Sequence, residues 1–206
     1  MSRQVFPLER PARLAVFASG RGSNLRVLLT EFGKEDPLGE VVLVVSDKPA
    51  APALELARSR GVEARHVPWR KRSEFESEVG RLCHDGDIDL ICLAGFMRLL
   101  SKEFVREHSG RILNVHPSLL PRFPGLHAHR QALEAGVSES GCTVHLVDEG
   151  VDTGPTILQK RVPVLLEDDE ESLAARILEQ EHHAYPQAIR LVLGGWTPPA
   201  ASEETE

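Results

Sequence analysis

The sequence predicts an α/β fold, a single domain built on a doubly wound, mostly parallel sheet of the Rossmann-like kind. Two observations carry this prediction. Short apolar runs alternate with helix-like segments through the first half of the chain, the pattern of a parallel sheet with helices on both faces. The length of 206 residues, 41% of them hydrophobic, suits one hydrophobic core.

The elements follow in order from local patterns. Strands are expected at residues 14–18, 41–45, 64–68, 88–94 and 111–115, followed by two added strands at 142–147 and 156–164, which we expect to be an antiparallel addition. Helices are expected at residues 24–32, 53–60, 73–84, 102–107, 129–135 and 170–193. Ser73 and Glu76 have the spacing of a capping box. Pro186 predicts a disturbance in the long last helix.

We expect the domain to cover residues 13–194. Residues 1–12 are then an N-terminal extension, and residues 195–206 are polar and unpatterned, as in a flexible tail. Prolines at 117, 121 and 124 and a glycine at 125 predict a long loop after the fifth strand. Loops of that length inside a compact domain are usually functional.

Composition excludes several classes of protein. With 24 basic and 31 acidic residues the net charge is −7, which disfavours a nucleic-acid partner. No apolar run is long enough for a membrane span or a signal peptide. Cys83, Cys92 and Cys142 form no Cys-x-x-Cys pair, so a reducing, cytoplasmic location is expected.

A glycine-containing loop, residues 19–24 (SGRGSN), follows the first strand. Glycines let backbone N–H groups approach an anion, and the next helix directs its positive end there. The loop lacks the Gly-Lys-Ser/Thr of the Walker pattern, which binds nucleotide phosphates. Leu25 occupies the position at which the dinucleotide-binding fingerprint has its third glycine. The ligand class that remains for this loop is a smaller phosphate ester. The alternative is a turn capped by Ser23 or Asn24 that binds nothing.

A second motif, residues 114–121 (NVHPSLLP), leaves the carboxyl end of the fifth strand, where ligands of open α/β sheets bind. Alternation along a strand puts Asn114 and His116 on the same side. An amide donor and an imidazolium together suit a developing oxyanion and a proton transfer. The alternative is a structural histidine.

A third motif, residues 148–155 (DEGVDTGP), holds three carboxylates. One of them is expected to lie beside His116 and to raise the pKa of the imidazole, as an opposite charge does. The sequence does not choose between Asp148, Glu149 and Asp152. The alternative is a solvated acidic turn.

Histidine is abundant, with nine in the chain. A metal site is one interpretation of four of them, His116, His127, His129 and His145. No recognised ligand spacing such as His-Glu-x-x-His occurs. We therefore expect no metal. Cys83 and Cys92 are expected to be small core residues.

Five segments together resemble the phosphoribosylglycinamide formyltransferases of the folate-dependent purine pathway. They are residues 19–24, 94–98 (AGFMR), 114–121, 125–133 (GLHAHRQAL) and 148–155. The resemblance covers residues 13–194 in order. It implies the formyltransferase fold with a long C-terminal helix, and direct transfer of the formyl group of 10-formyltetrahydrofolate to an amine, without metal or covalent intermediate.

The resemblance also assigns roles to single residues. Gly22, Ser23 and Asn24 would hold the substrate phosphate, and Glu181 would reach the ribose. The catalytic trio would be Asn114, His116 and Asp152, with Asp152 keeping His116 charged. The folate cleft would be formed by Arg72, Met97, Arg98, Leu99, Leu100, Asn114, Asp148, Glu149, Gly150, Val151 and Asp152. The implied partners are small molecules only, for a monomer or a homodimer.

Related enzymes share the second motif. Methionyl-tRNA formyltransferase carries an extra C-terminal domain and formyltetrahydrofolate deformylase an N-terminal one, and we expect this chain to have neither. A protein that binds a phosphate ester without catalysis is the alternative function, because fold does not imply function.

Overall fold

The fold is an α/β sandwich around one seven-stranded sheet, seen in a computed structural model that describes residues 6–198. The strands are β1 (Ala12–Phe17), β2 (Gly39–Ser46), β3 (Glu63–His66), β4 (Leu90–Leu93), β5 (Ile112–His116), β6 (Glu139–Leu146) and β7 (Thr156–Pro163). The helices are α1 (Ser23–Glu31), α2 (Pro52–Ser59), α3 (Arg72–Asp85), α4 (Lys102–Glu107), α5 (Ala128–Glu134) and α6 (Glu170–Leu193). Every predicted element is present, with shifts of only a few residues at its ends.

The strand order is β3-β2-β1-β4-β5-β6-β7. The first five strands pair in parallel, whereas β6 pairs antiparallel with β5, and β7 with β6. The predicted doubly wound sheet with an antiparallel addition is therefore confirmed. The order reverses between β1 and β4, and ligands of open α/β sheets bind at such a switch point.

Alternation along β1 divides the core into two layers. Leu14 and Val16 belong to a cluster with the apolar faces of α1, α2 and α6. Ala15 and Phe17 belong to a second cluster with α3 and α4 on the other face of the sheet. Because both faces of the central strands are covered, the carboxyl edge of the sheet is where a cleft can open.

One local prediction differs from the structure. Ser73 and Glu76 form no capping box: α3 begins after Lys71, which has no side-chain cap. Glu76 instead accepts a hydrogen bond at Oε1 from the N–H of Ser101, the residue that caps α4. A tertiary partner therefore replaces the local one. Pro186 lies inside α6, which continues to Leu193 as expected.

Both ends of the described chain pack on the first core layer. Phe6 is 6% exposed, and Leu8 and Trp196 are partly buried against the same cluster. Residues 1–5 of the predicted extension and residues 199–206 of the predicted tail lie outside the described residues. Within residues 6–198, the structure holds no helix long and apolar enough to cross a membrane.

Candidate active site

The three predicted motifs meet at the carboxyl edge of the sheet. The glycine loop follows β1, the segment of residues 95–100 follows β4, and His116 ends β5. The carbonyl of Gly95 accepts a hydrogen bond from the N–H of Ser19 at 3.2 Å, and the N–H of Met97 donates to Oγ of Ser19 at 3.0 Å. The loops after β1 and β4 therefore form one continuous wall.

Gly22 begins α1 in the left-handed region, with φ +77°. A Cβ at this position would lie 3.1 Å from Cβ of Ala53, so both conformation and space favour glycine. The predicted alternative, a cap by Ser23 or Asn24, is absent, since α1 has no side-chain cap hydrogen bond. The first N–H groups of α1 thus have no local side-chain acceptor, as an anion site requires.

Asn24 and Glu181 are brought together from opposite ends of the chain. Nδ2 of Asn24 donates to Oε2 of Glu181 at 2.7 Å, and both residues are buried. Burial raises the pKa of Glu181 to about 7, with the Asn24 hydrogen bond opposing the rise. Oδ1 of Asn24 is buried without a hydrogen-bond partner among the described residues, so the pair has an acceptor left for a ligand.

Arg98 is held by the protein itself. Its Nε donates to Oδ2 of Asp47 at 2.8 Å, and its guanidinium lies 5.4 Å from the ring centroid of Trp69. The Asp47 side chain is completely buried, and that of Arg98 is 33% exposed. In contrast, Met97 and Leu99 on either side are 65% and 61% exposed, which leaves two apolar side chains free to contact a ligand.

His116 lies between two oxygen atoms. Its Nε2 donates to the carbonyl of Phe123 at 2.9 Å, and its Nδ1 lies 3.3 Å from Oδ2 of Asp152. Phe123 and Asp152 both have positive φ, +56° and +55°. A bulky residue such as phenylalanine is strained in this region, whereas aspartate adopts it more readily. Strain of this kind clusters at functional sites, and here it lies in the residue whose carbonyl fixes the imidazole.

The expected rise in the His116 pKa is wrong. Burial lowers the pKa of His116 below its ordinary value, and the Phe123 carbonyl and the Asp152 carboxylate oppose this without reversing it. The charge of nearby His145 adds to the lowering. The carboxylate was predictable from the sequence, but the desolvation of a His116 side chain that is only 6% exposed was not. The imidazole is therefore more readily neutral than a free histidine.

Of the three acidic candidates, Asp152 is the one beside His116. Its Oδ2 also accepts the N–H of Gly125 at 2.8 Å. Burial opposes its ionisation, but the nearby imidazoles of His145 and His116 and the hydrogen bond from the Gly125 N–H hold its pKa below the ordinary value. Asp148 accepts hydrogen bonds within its own loop from Thr153 and Gly150.

Glu149, the remaining acidic candidate, is paired with a residue other than His116. It forms an ion pair with Arg106 at the end of α4, with 2.6 Å between Nε and Oε1. Gly150 and Val151 are exposed in the same loop. Arg72, the first residue of α3, is also exposed. Leu100 packs against the second core cluster.

His145 is a member of this site that the sequence reasoning named only as a possible metal ligand. It lies opposite Asn114 in the β5–β6 register, with Nε2 3.2 Å from Nδ2 of Asn114 and 3.5 Å from Oδ1 of Asp152. Its Nδ1 donates to the Leu146 carbonyl at 2.9 Å. In the neutral form Nε2 is then an acceptor for the Asn114 amide. His145 reaches Asn114 only through the antiparallel pairing of β5 with β6. No pattern in the local sequence around His145 predicts this contact.

The other candidate ligands and nucleophiles are not assembled into a second site. No group of three or more His, Cys, Asp or Glu residues that could hold a metal ion occurs within residues 6–198. Cys83, Cys92 and Cys142 are buried free thiols. Burial raises the pKa of each to about 12, so they are inert core residues.

Known proteins resemble this chain in both sequence and fold. The formyl transferase family model matches residues 12–189. Phosphoribosylglycinamide formyltransferase of Escherichia coli is 44% identical over 179 residues, 85% of this chain and 84% of that protein. The crystal structure of glycinamide ribonucleotide transformylase 1 from Symbiobacterium toebii has a TM-score of 0.86 and 47% identity, covering 91% of this chain and 90% of that one.

A longer relative contains the same domain. The trifunctional purine biosynthetic protein adenosine-3 of Drosophila melanogaster is 49% identical over 192 residues, 91% of this chain. This chain spans only 14% of that relative's length. The family model and the E. coli enzyme each match most of this chain. The chain therefore belongs to the formyl transferase family and, within it, to the phosphoribosylglycinamide formyltransferases.

Proposed function

We propose that this chain transfers the formyl group of 10-formyltetrahydrofolate to the amine of phosphoribosylglycinamide in purine biosynthesis, by direct attack through a tetrahedral intermediate. Asn114, His116 and Asp152 act at the reacting carbon. The observation that carries the proposal is the meeting of these three side chains, with Asp152 3.3 Å from His116 and Asn114 oriented by His145, at the edge where the glycine loop also opens.

The phosphate of the amine substrate is proposed to bind at the start of α1. Gly22 has no side chain to block the approach, and the N–H groups of Ser23 and Asn24 are the first of the helix. The positive end of α1 favours an anion there. Oδ1 of Asn24, which is buried and has no hydrogen-bond partner within residues 6–198, and the carboxyl of Glu181 supply acceptors for ribose hydroxyl groups.

The folate is proposed to bind between the segment after β4 and the loop of residues 148–152. Met97 and Leu99 are exposed apolar side chains on one wall, and Val151 is exposed on the other. Exposed apolar surface beside convergent polar groups is typical of a ligand cleft. Leu100 and the backbones of Arg98, Asp148, Glu149 and Gly150 complete this proposed cleft, and Arg72 at the start of α3 is its proposed outer charge.

Asn114, His116 and Asp152 each have a different role in the proposed reaction. Attack by the amine nitrogen on the formyl carbon creates an oxyanion, which the amide of Asn114 stabilises by donating a hydrogen bond. The ammonium group must lose a proton, and the folate nitrogen must gain one as its bond to carbon breaks. His116, which is neutral more readily than a free histidine, accepts the first proton. Asp152 stabilises the imidazolium as it forms, and the proton then passes to the leaving nitrogen.

One assay tests the whole proposal. Purified protein is mixed with 10-formyltetrahydrofolate, with and without phosphoribosylglycinamide, and the release of tetrahydrofolate is measured. Release that requires the amine, with formyl-glycinamide ribotide as the second product, is the expected result. Release without the amine would indicate hydrolysis, and no release in either arm would favour a non-catalytic binder of phosphate esters.

A further inference from the structure

We propose that Gln159 is a positioning residue for His116, acting through the loop that follows β5. The inference rests on the proposed function, because it concerns the histidine assigned to proton transfer. Gln159 lies on β7, two strands away from β5, and belongs to none of the motifs that predicted the site. Its side chain nevertheless reaches the loop that holds the imidazole.

The carboxamide of Gln159 makes two hydrogen bonds from one nitrogen. Nε2 donates to the carbonyl of Leu120 at 2.9 Å and to Oγ1 of Thr143 at 2.8 Å. In the sheet, Thr143 is paired with Gln159 on one side and with His116 on the other. The three residues thus form a row across β7, β6 and β5, which connects an outer strand directly to the catalytic strand.

The Thr143 hydroxyl makes all three hydrogen bonds available to it. Oγ1 donates to the Ser118 carbonyl at 2.7 Å and accepts from the Leu120 N–H at 3.0 Å as well as from Gln159. A hydroxyl has one proton and two lone pairs, so the Leu120 carbonyl needs a donor from elsewhere. The NH₂ group of Gln159 provides that donor, and Thr143 is fully buried, where an unsatisfied group is costly.

The same loop contacts His116 at its other end. Oγ of Ser118 donates to the carbonyl of Arg122, and the next carbonyl, that of Phe123, accepts the proton on Nε2 of His116 at 2.9 Å. Gln159 and Thr143 therefore fix residues 118–120, Ser118 links them to Arg122, and the Phe123 carbonyl fixes the imidazole. Loss of the Gln159 donor should loosen the acceptor of His116 without removing any group that contacts substrate.

The variant that tests this is Gln159→Met, which keeps the length of the side chain and adds no charge. We expect kcat to fall about tenfold while KM for phosphoribosylglycinamide changes by less than about twofold. Gln187→Met is the control, because it makes the same substitution at an exposed position of α6, on a different element from the loop that holds His116. Its kcat should stay near the wild-type value.

A second pair of variants separates positioning from general damage. Thr143→Ser keeps the hydroxyl and should retain kcat, whereas Thr143→Val removes it and should behave like Gln159→Met. Equal losses in Thr143→Ser and Thr143→Val, or equal losses in Gln159→Met and Gln187→Met, would overturn the inference.

The titration of His116, followed by NMR, gives a readout that does not require activity. The Phe123 carbonyl raises the pKa of His116, so a loosened carbonyl in Gln159→Met should lower that pKa further. Asp152, His145 and His129 are the titratable groups that act on His116 or respond to it, and none of them shares a hydrogen bond with Gln159 among the described residues.

The two proposals can fail separately. An unchanged His116 titration together with unchanged kcat in Gln159→Met would contradict the positioning role. Wild-type protein that lacks formyl transfer would contradict the proposed function instead, and a shifted His116 titration in the variant would then still support the link from Gln159 to the imidazole.

Discussion

Asn24 and Glu181 are joined by a hydrogen bond of 2.7 Å although 157 residues separate them in the chain. The contact connects the first turn of α1 with the middle of α6. Asn24 is 7% and Glu181 is 8% exposed, and burial raises the pKa of Glu181 to about 7. The proposed ribose acceptor is therefore a carboxyl that titrates near neutral pH.

The raised pKa of Glu181 predicts a loss of stability as pH rises. A carboxyl whose pKa is higher in the folded than in the unfolded protein contributes its full stabilisation below the unfolded pKa, here 4.5. That contribution to the free energy of unfolding is lost as pH rises through the folded pKa of about 7. Glu181→Gln keeps the hydrogen bond to Asn24 and cannot ionise. The free energy of unfolding of wild type should fall between pH 5 and pH 8 relative to this variant, by at most about 3 kcal/mol. Urea unfolding at both pH values measures it, and parallel pH profiles would contradict it.

The proton-transfer pair gives a kinetic prediction. His116→Ala and Asp152→Asn should each lower kcat at least about a hundredfold, the effect of a positioned acid or base. Binding of phosphoribosylglycinamide, measured by calorimetry, should survive in both. Because the two side chains act as one unit, the double variant should lose little more than either single variant. A double loss equal to the product of the single losses would argue against the coupled pair.

The glycine loop gives a prediction about binding. Gly22→Val places a branched side chain at φ +77°, with its Cβ 3.1 Å from that of Ala53. It should weaken binding of phosphoribosylglycinamide far more than binding of folate, because the side chain blocks the start of α1. Gly20→Ala is the control, since a Cβ at Gly20 meets nothing within 4 Å. Equal weakening of both ligands in Gly22→Val would indicate general unfolding or a different phosphate site.

The electrostatic role of Asp152 is tested through His116 itself. Burial already lowers the pKa of His116, and Asp152 is one of the two groups that oppose this. Asp152→Asn should therefore lower the His116 pKa further, and the pH at which activity is half-maximal should move down with it. NMR of the ring protons, with His116→Ala to assign the resonance, measures the shift. An unchanged or increased pKa would leave Asp152 without this role.

The pair between Arg98 and Asp47 gives a stability prediction. Arg98→Gln leaves a completely buried carboxylate without its cation, and Oδ1 of Asp47 already has no hydrogen-bond partner among the described residues. We expect a loss of about 3 kcal/mol, the lower end for a broken buried pair because Arg98 is one-third exposed. Adding Asp47→Asn should recover part of it. Urea unfolding of the wild type and of these two variants tests this, and a double variant less stable than Arg98→Gln alone would contradict the prediction.

Several properties of this protein were determined by local sequence. Apolar runs ending at residues 18 and 45, with helix-like segments between them, predicted the parallel sheet, because burial on both faces requires such runs. Alternation along β5 put Asn114 and His116 on one side, and Gly22 predicted the open turn before α1. These signals are local, so the chain order alone was enough to find them.

The remaining features depend on contacts between distant segments. Asp152, rather than Asp148 or Glu149, lies beside His116 because the loop after β6 folds onto Gly125, and no local pattern encodes that approach. The lowered pKa of His116 arises from desolvation by surrounding elements, which outweighs the carboxylate that the sequence suggested. His145 and Gln159 reach the site only through antiparallel pairing of β5, β6 and β7. The sequence by itself therefore determined which chemical groups are present and the strand that carries them, whereas tertiary packing decided which groups meet and in what protonation state, because both depend on burial and distance.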